Sequence, residues 1–399
     1  MDLSKMSEIF NENIRMEKEE LILSHQNLDE LPNLSNFHWL KTLSFNGNKI
    51  IKLEKNDFPP NLESLDLSRN EIESVNCNDF PDSLKTLFLG NNNLKVFDGK
   101  EFKNLEILDL HNNNLKEFSF PLKSSKVDIS GNKLVKLDNF PEKLVQIDCS
   151  DNLLENLPML NNVLEEIDFS NNHVEQLPIF PNSVQRIIAD RNHIKIVSEL
   201  PSNLKGISLS NCVLDKIEGF LPQSLIDLDF SNNYLVEMPD LPINIEVVNL
   251  NENRIAKLKE VPESVKELNL SDNYLTQIDD ELIKRKNLDI SYDNNFLDEQ
   301  IPDKKNKFVP FLGNGYTLGS HNSSYSSYDY YSQYEYPQNN SYQTNNNNRF
   351  GNNSYNFHNT SWNNYNSNKS TTVSLFSHHK TKKENPNYIS ANNKKNIIV

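Results

Sequence analysis

Acidic residues recur through this chain at intervals near twenty or its multiples: Asp66, Asp109, Asp128, Asp148, Asp168, Asp229 and Asp289. Each directly follows an apolar residue, as Asp66 follows Leu65, and the four from Asp109 to Asp168 fall in consecutive copies of one pattern. Carboxylates on neighbouring parallel strands lie about 4.8 Å apart. At that separation each adjacent pair repels by about 0.9 kcal/mol even at the dielectric of water, well inside a Debye length of about 8 Å. A ligand presenting Lys or Arg along the row relieves this, so the chemistry on offer is recognition of a basic protein surface. Phe88 and Ile188 occupy the same column, and Ile107 and Val247 stand just before the apolar mark in their copies. Apolar residues bordered by charge are what a docking surface presents. The expected partner-binding set is Asp66, Phe88, Ile107, Asp109, Asp128, Asp148, Asp168, Ile188 and Asp229. Glu166 and Asp151, near the same rows, add to the field. The competing reading is that Leu-Asp-Leu-Ser is a common form of this pattern and needs no ligand.

Catalytic signatures are missing from the sequence. It contains no G-x-x-x-x-G-K-[ST], no G-x-G-x-x-G, no H-E-x-x-H and no paired C-x-x-C. The nine histidines are dispersed, so no metal site and no cofactor are expected. Cys77, Cys149 and Cys212 are too few for a disulfide framework and read as reduced thiols of an intracellular protein.

The elements that must carry the acidic column come from a repeat. Residues 62–75, LESLDLSRNEIESV, follow L-x-x-L-x-L-x-x-N-x-L, a short strand running into an Asn-bearing bend. Marked by the second apolar position, copies begin at Leu21, Leu43, Leu65, Leu87, Leu108, Val127 and Ile147. They continue at Ile167, Ile187, Ile207, Leu228, Val248, Leu268 and Leu288, and after the last of these Asn and Leu fall out of step. One copy cannot bury its own leucines, so neighbours must stack into a shared core. The recurrent Asn, such as Asn70 or Asn172, is expected to point inward and satisfy backbone groups of its own and the next coil. Gln26 and Cys212 take its place in two copies.

From about residue 19 to 297 the chain resembles a leucine-rich repeat protein. The resemblance implies a horseshoe solenoid of α/β type, with a parallel concave sheet, a mostly irregular convex side, and partners bound on the concave face. From the fifth copy the connectors carry Pro, as in ENLPML and EMPDLPINI, and are similar to the L-P-x-L-P connectors of the 20-residue repeats in bacterial pathogen effectors. Pro favours extended backbone there over helix. That resemblance raises one enzymatic possibility, a ubiquitin-ligase domain after the repeats, which needs a catalytic Cys, and no Cys follows Cys212. The Asn-, Lys- and Tyr-rich style also resembles repeat proteins of amoebae or their giant viruses, which would put a viral copy in the host cytoplasm.

Around the repeats the expected organisation is an N-terminal helical cap (1–20), about fourteen repeats (21–297), a C-terminal cap (298–312) and a disordered tail (313–399). Met6, Ile9, Phe10 and Ile14 share one helical face in the first segment. A short helical turn is expected over Asp279–Lys286. The tail is rich in Asn, Ser and Tyr, holding eleven of the fourteen tyrosines, and buries too little apolar surface to fold. Weak self-association or RNA contact through Tyr and scattered Lys are its sharper readings. The formal charge is −16, and ten basic against three acidic residues from Lys304 onward leave −23 on residues 1–303. So acidic a body repels DNA and anionic membranes. No apolar run of spanning length and no targeting signal are found, which points to the cytoplasm. The expected function is a non-catalytic protein–protein interaction module. The alternatives are an assembly protein clustering through its tail, or a substrate adaptor for a ubiquitin ligase. Because the tail supplies no repeat leucines, deleting residues 313–399 is expected to leave the melting temperature of the repeats unchanged in a calorimetric scan.

Overall fold

A computed structural model describes residues 17–53 and 58–297. The expected N-terminal cap (1–20, nearly all of it), the C-terminal cap (298–312) and the tail (313–399) lie outside the described residues.

Fourteen three-residue strands, from Glu20–Ile22 to Asp289–Ser291, form one parallel sheet in which each coil of the chain adds the next strand. Its register joins the apolar marks one to one: Leu21 pairs with Leu43, Leu43 with Leu65, Leu65 with Leu87, and so on to Leu268. The last step differs from expectation. Leu268 pairs with Ile290, so Ile290, Tyr292, Asn295 and Leu297 complete the final copy in step, and Leu288 is not its mark. Asp289 accordingly precedes the mark and pairs with Glu267, outside the acidic column.

Stacking gives the inward side chains their partners. Leu65, Leu67 and Ile72 are fully buried, as are their equivalents Ile187, Ala189 and Ile194. A buried aliphatic side chain contributes about 1.5–3 kcal/mol. Within the wider early coils the back of the stack is filled by phenylalanines in contact: Phe58 with Phe80, Phe80 with Phe102, Phe102 with Phe97, and Phe97 with Phe118. Irregular backbone makes up most of the side opposite the sheet. Two short strand pairs stand there, Val96–Asp98 with Glu117–Ser119 and Ile196–Val197 with Lys216–Ile217. A 3-10 turn spans Cys77–Asp79, and the expected helical turn is Asp280–Ile283, capped by Asp279. No helix among the described residues is long and apolar enough to cross a membrane.

The bend after each strand has two fixed requirements. Its first is a positive φ at the residue before the inward Asn, met by Asn91, Asn112, Gly131, Asp151, Asn171 and others. Asn, Asp and Gly enter that region at least cost, which accounts for the run of paired Asn in this sequence. The second is hydrogen bonding within the core. Asn172 donates from Nδ2 to the carbonyls of Phe169 (3.0 Å) and Cys149 (3.1 Å), and its Oδ1 accepts the Leu154 N–H (2.8 Å). Asn70 does the same for Leu67, Phe45 and Ile50. The ladder therefore serves its own coil and the preceding one, not the next. At Cys212 the thiol reaches the Ala189 carbonyl (3.4 Å), and burial pushes its pKa up to about 11, so it stays a neutral structural group.

Asn172→Ala is expected to lower stability by about 1–3 kcal/mol for each backbone group it orphans, and Ile167→Ala by about 2–5 kcal/mol through the cavity it leaves. Glu175→Ala, on an exposed position, should leave the denaturation midpoint in place; equal effects at all three would refute this register.

Candidate functional site

The residues after the marks form a continuous column across the outer face of the sheet. In register order Asp66, Phe88, Asp109, Asp128, Asp148, Asp168, Ile188, Ser208 and Asp229 are successive neighbours. Ile107 stands one row over, between Thr86 and Lys126, so it lies diagonal to Phe88. These side chains are not freely exposed, contrary to expectation. Asp66, Asp109, Asp168, Asp229 and Ile188 are buried, while Phe88, Ile107, Asp128 and Asp148 are half-buried. Asp151 is not on this face; it occupies the positive-φ position of the bend and accepts from the Asn171 amide.

The cause is local. One carboxylate oxygen of each Asp turns back to accept the N–H two residues on, closing an Asx turn where the strand ends. The distances are 2.9 Å from Asp66 to Ser68 N, and 3.0 Å from Asp128 to Ser130 N, Asp148 to Ser150 N and Asp229 to Ser231 N. The serine hydroxyl adds a 2.6 Å bond to the same oxygen in the last three. Leu-Asp-Leu-Ser is thus a turn-closing device. Asn249 and Asn269 close their turns the same way. Where Ile188 and Ser208 interrupt the column, Asp190 accepts both Ser208 Oγ (2.5 Å) and Ser210 N (2.8 Å).

Packing carboxylates in a row perturbs their charge. Burial, then the neighbouring Asp109, push Asp128 up to about 7. Asp148, between Asp128 and Asp168, is raised well above the carboxylate range by burial and by both neighbours. Asp190 rises to about 6, again mainly through burial. Asp128, about half ionised at neutrality, and Asp148, pushed the same way, depart from the fully charged row expected from sequence.

His111 replaces the serine of one copy and escaped the sequence reading. Its Nδ1 bonds Asp109 Oδ1 at 2.6 Å, and Nε2 meets the Asn91 amide at 2.7 Å. A Cβ on Gly90 would lie 2.3 Å from this ring, so the glycine makes room for it. Burial opposes charge on the imidazole, yet the bond to Asp109 and the charges of Asp109 and Asp128 prevail and raise it to about 9. Ligand atoms of Asp109, His111 and Asp128 lie within 4.8 Å of one another. That set could hold a divalent cation only by displacing the proton shared with Asp109. The only sequence signal was a histidine where other copies carry serine.

Two family models match: "Leucine Rich Repeat" at residues 61–82 and "Leucine Rich repeats (2 copies)" at residues 82–124. No curated protein matches the sequence. Among solved structures, YopM of Yersinia pestis, a leucine-rich effector protein, is 30% identical over 68% of this chain and 76% of its own, with a TM-score of 0.51. YopM of Yersinia enterocolitica is 26% identical over 69% and 74%, with a TM-score of 0.54. A leucine-rich repeat protein of Leptospira interrogans shares the fold at 23% identity over 72% and 81%, with a TM-score of 0.61.

The acidic column sets a pH dependence. A carboxyl whose folded pKa lies above its unfolded value near 3.9 adds stability at low pH, which is lost as pH rises through the folded value. For Asp190 and Asp128 that loss runs from about pH 4 and is complete by about pH 6 and 7 respectively. His111, raised to about 9, likewise holds its contribution below about 6.5 and loses it as pH rises through about 9. The melting temperature is expected to fall from pH 5.5 to pH 8.5. Asp148→Asn keeps the turn acceptor and removes one charge, so it should raise the melting temperature at pH 8.5 and flatten the profile; an unchanged profile would show the column carries no such strain.

Proposed function

This chain belongs to the leucine-rich repeat proteins, and from that premise we propose that it is a non-catalytic protein–protein interaction module of the cytoplasm, binding its partner on the sheet face. The observation that carries this reading is the outer column itself: an unbroken row in which half-buried Phe88, with Ile107 diagonal to it, adjoins the carboxylates of Asp109, Asp128 and Asp148. Phe88 and Ile107 offer apolar contact, and the acids select for charge. A partner presenting Lys or Arg stabilises the ionised form of Asp128 and Asp148, whose pKa values burial and mutual repulsion raise in the free protein. Binding on this face therefore releases protons and strengthens as pH rises. Asp66, Asp168, Ile188 and Asp229 continue the same column to either side and are buried. Free rather than bridged Cys149 and Cys212 suit a reducing compartment. The assembly and ligase-adaptor readings have no comparable support among the described residues.

Affinity capture with the whole chain from cell extract, at low and high salt, tests the proposal. Since Lys at these positions would also remove turn acceptors, the informative variant is Asp128→Asn with Asp148→Asn, compared with Phe88→Ala. A basic partner lost at high salt and retained about tenfold less by the double variant, two lost charge contacts of about 0.7 kcal/mol each making about 1.4 kcal/mol, is the expected outcome. Capture that ignores both variants would place the functional face elsewhere.

A further inference from the structure

A second ordered surface lies beyond the ends of the strands. The residue after each inward Asn forms its own column, because its N–H bonds the carbonyl two residues past the Asn of the preceding coil. The bonds run His173 to Leu154, His193 to Val174, Tyr234 to Leu214, Arg254 to Leu235, Tyr274 to Ile255 and Phe296 to Leu275, all at 2.8–2.9 Å. In this half of the stack most positions of the column carry rings, with Val213 and Arg254 between them. His173 stacks on His193 with centroids 5.8 Å apart. The Arg254 guanidinium lies 4.4 Å from the centre of the Tyr234 ring, and Tyr274 meets Phe296 edge to face at 5.6 Å. Tyr234, Tyr274 and Phe296 nevertheless remain 46%, 42% and 40% exposed. Neither the acidic column nor the core accounts for aromatic residues here, where earlier copies have Lys49, Glu71 and Asn93.

Spacing and charge identify what fits. Tyr234 and Tyr274 are two coils apart, about 9.6 Å at the strand repeat. A polyproline-II chain advances about 9.3 Å in three residues, so side chains at every third position of such a segment meet successive tyrosines. Proline rings and guanidinium groups both lie favourably on exposed aromatic faces. Exposed Glu237, Glu252 and Asp272 outnumber the cation of the edge, Arg254, in a repeat region of strongly negative charge. They favour a basic ligand and oppose the phosphates of a nucleic acid. We propose that the edge formed by Tyr234, Arg254, Tyr274 and Phe296 is a binding site for a proline-rich, arginine-bearing segment of a partner protein in polyproline-II form. This site is separate from the sheet face and does not depend on it.

Fluorescence anisotropy with the whole chain and a labelled twelve-residue peptide of repeated Arg-Pro-Pro tests the site. Tyr234→Ala with Tyr274→Ala is expected to weaken binding about tenfold, two exposed cation–π or ring contacts being worth about 1–2 kcal/mol together. Glu237→Lys with Glu252→Lys, on exposed positions that leave the rings in place, should also weaken it and reduce its salt dependence. A peptide of repeated Arg-Gly-Gly, equal in charge but flexible, should bind more weakly. No binding of the Arg-Pro-Pro peptide, equal binding by the tyrosine double variant, equal affinity for Arg-Gly-Gly, or tighter binding of oligouridine would each overturn the proposal.

Discussion

A coil that turns every twenty residues brings backbone N–H and C=O groups into a core with no water to receive them, and the whole stack rests on satisfying them. One side chain per coil does so. Asn152, Asn172, Asn192 and their equivalents each donate to two coils and accept from one, while fully inside the core. An amide suits this task because it carries two donors and an acceptor on a short stem. Its demand propagates outward: the chain must reach the Asn through a residue of positive φ, and must leave the strand through a closed turn.

The acidic column is a consequence of that second demand. Asp at the strand end supplies the turn acceptor, and stacking then sets identical carboxyls side by side at strand spacing. A group chosen coil by coil for local geometry thereby becomes a collective electrostatic feature, with pKa values raised by its neighbours. Structural and recognition roles are not exclusive here. One oxygen of each carboxyl is committed to the turn, and the other can pair along the column, as where Asp229 Oδ2 accepts from Asn249 at 3.1 Å.

Between the sheet and the back of the stack the coils differ more than their strands do. The longer early copies fill the extra width with stacked phenylalanines, and later copies close it with Pro-bearing connectors and residues such as Leu160 and Leu221. Surface pairs crossing between coils, Lys41 with Glu19, Lys85 with Glu63 and Lys266 with Glu246, set like rows of charge in alternation. Such exposed pairs tune compatibility between neighbours more than they add stability.

The repeat, its parallel register over thirteen of fourteen strands, the inward leucines and the structural Asn are legible in the residue order, because each follows from a period that local residue types impose on every coil. The residue order also identified the column of Asp, Phe88 and Ile107 as residues sharing one face. It misjudged the last copy, where Leu288 and Ile290 both suit an apolar mark and only pairing with Leu268 selects between them. Exposure was beyond its reach: alternation says which side a residue faces, whereas the Asx turn that folds each carboxyl back onto the chain depends on the bend that follows. The raised pKa values of Asp128 and Asp148, the Gly90 space for His111, and the line of Tyr234, Arg254, Tyr274 and Phe296 arise only when the coils stack. Each depends on residues some twenty positions apart being brought to within a single strand spacing, and no reading of one coil contains that distance.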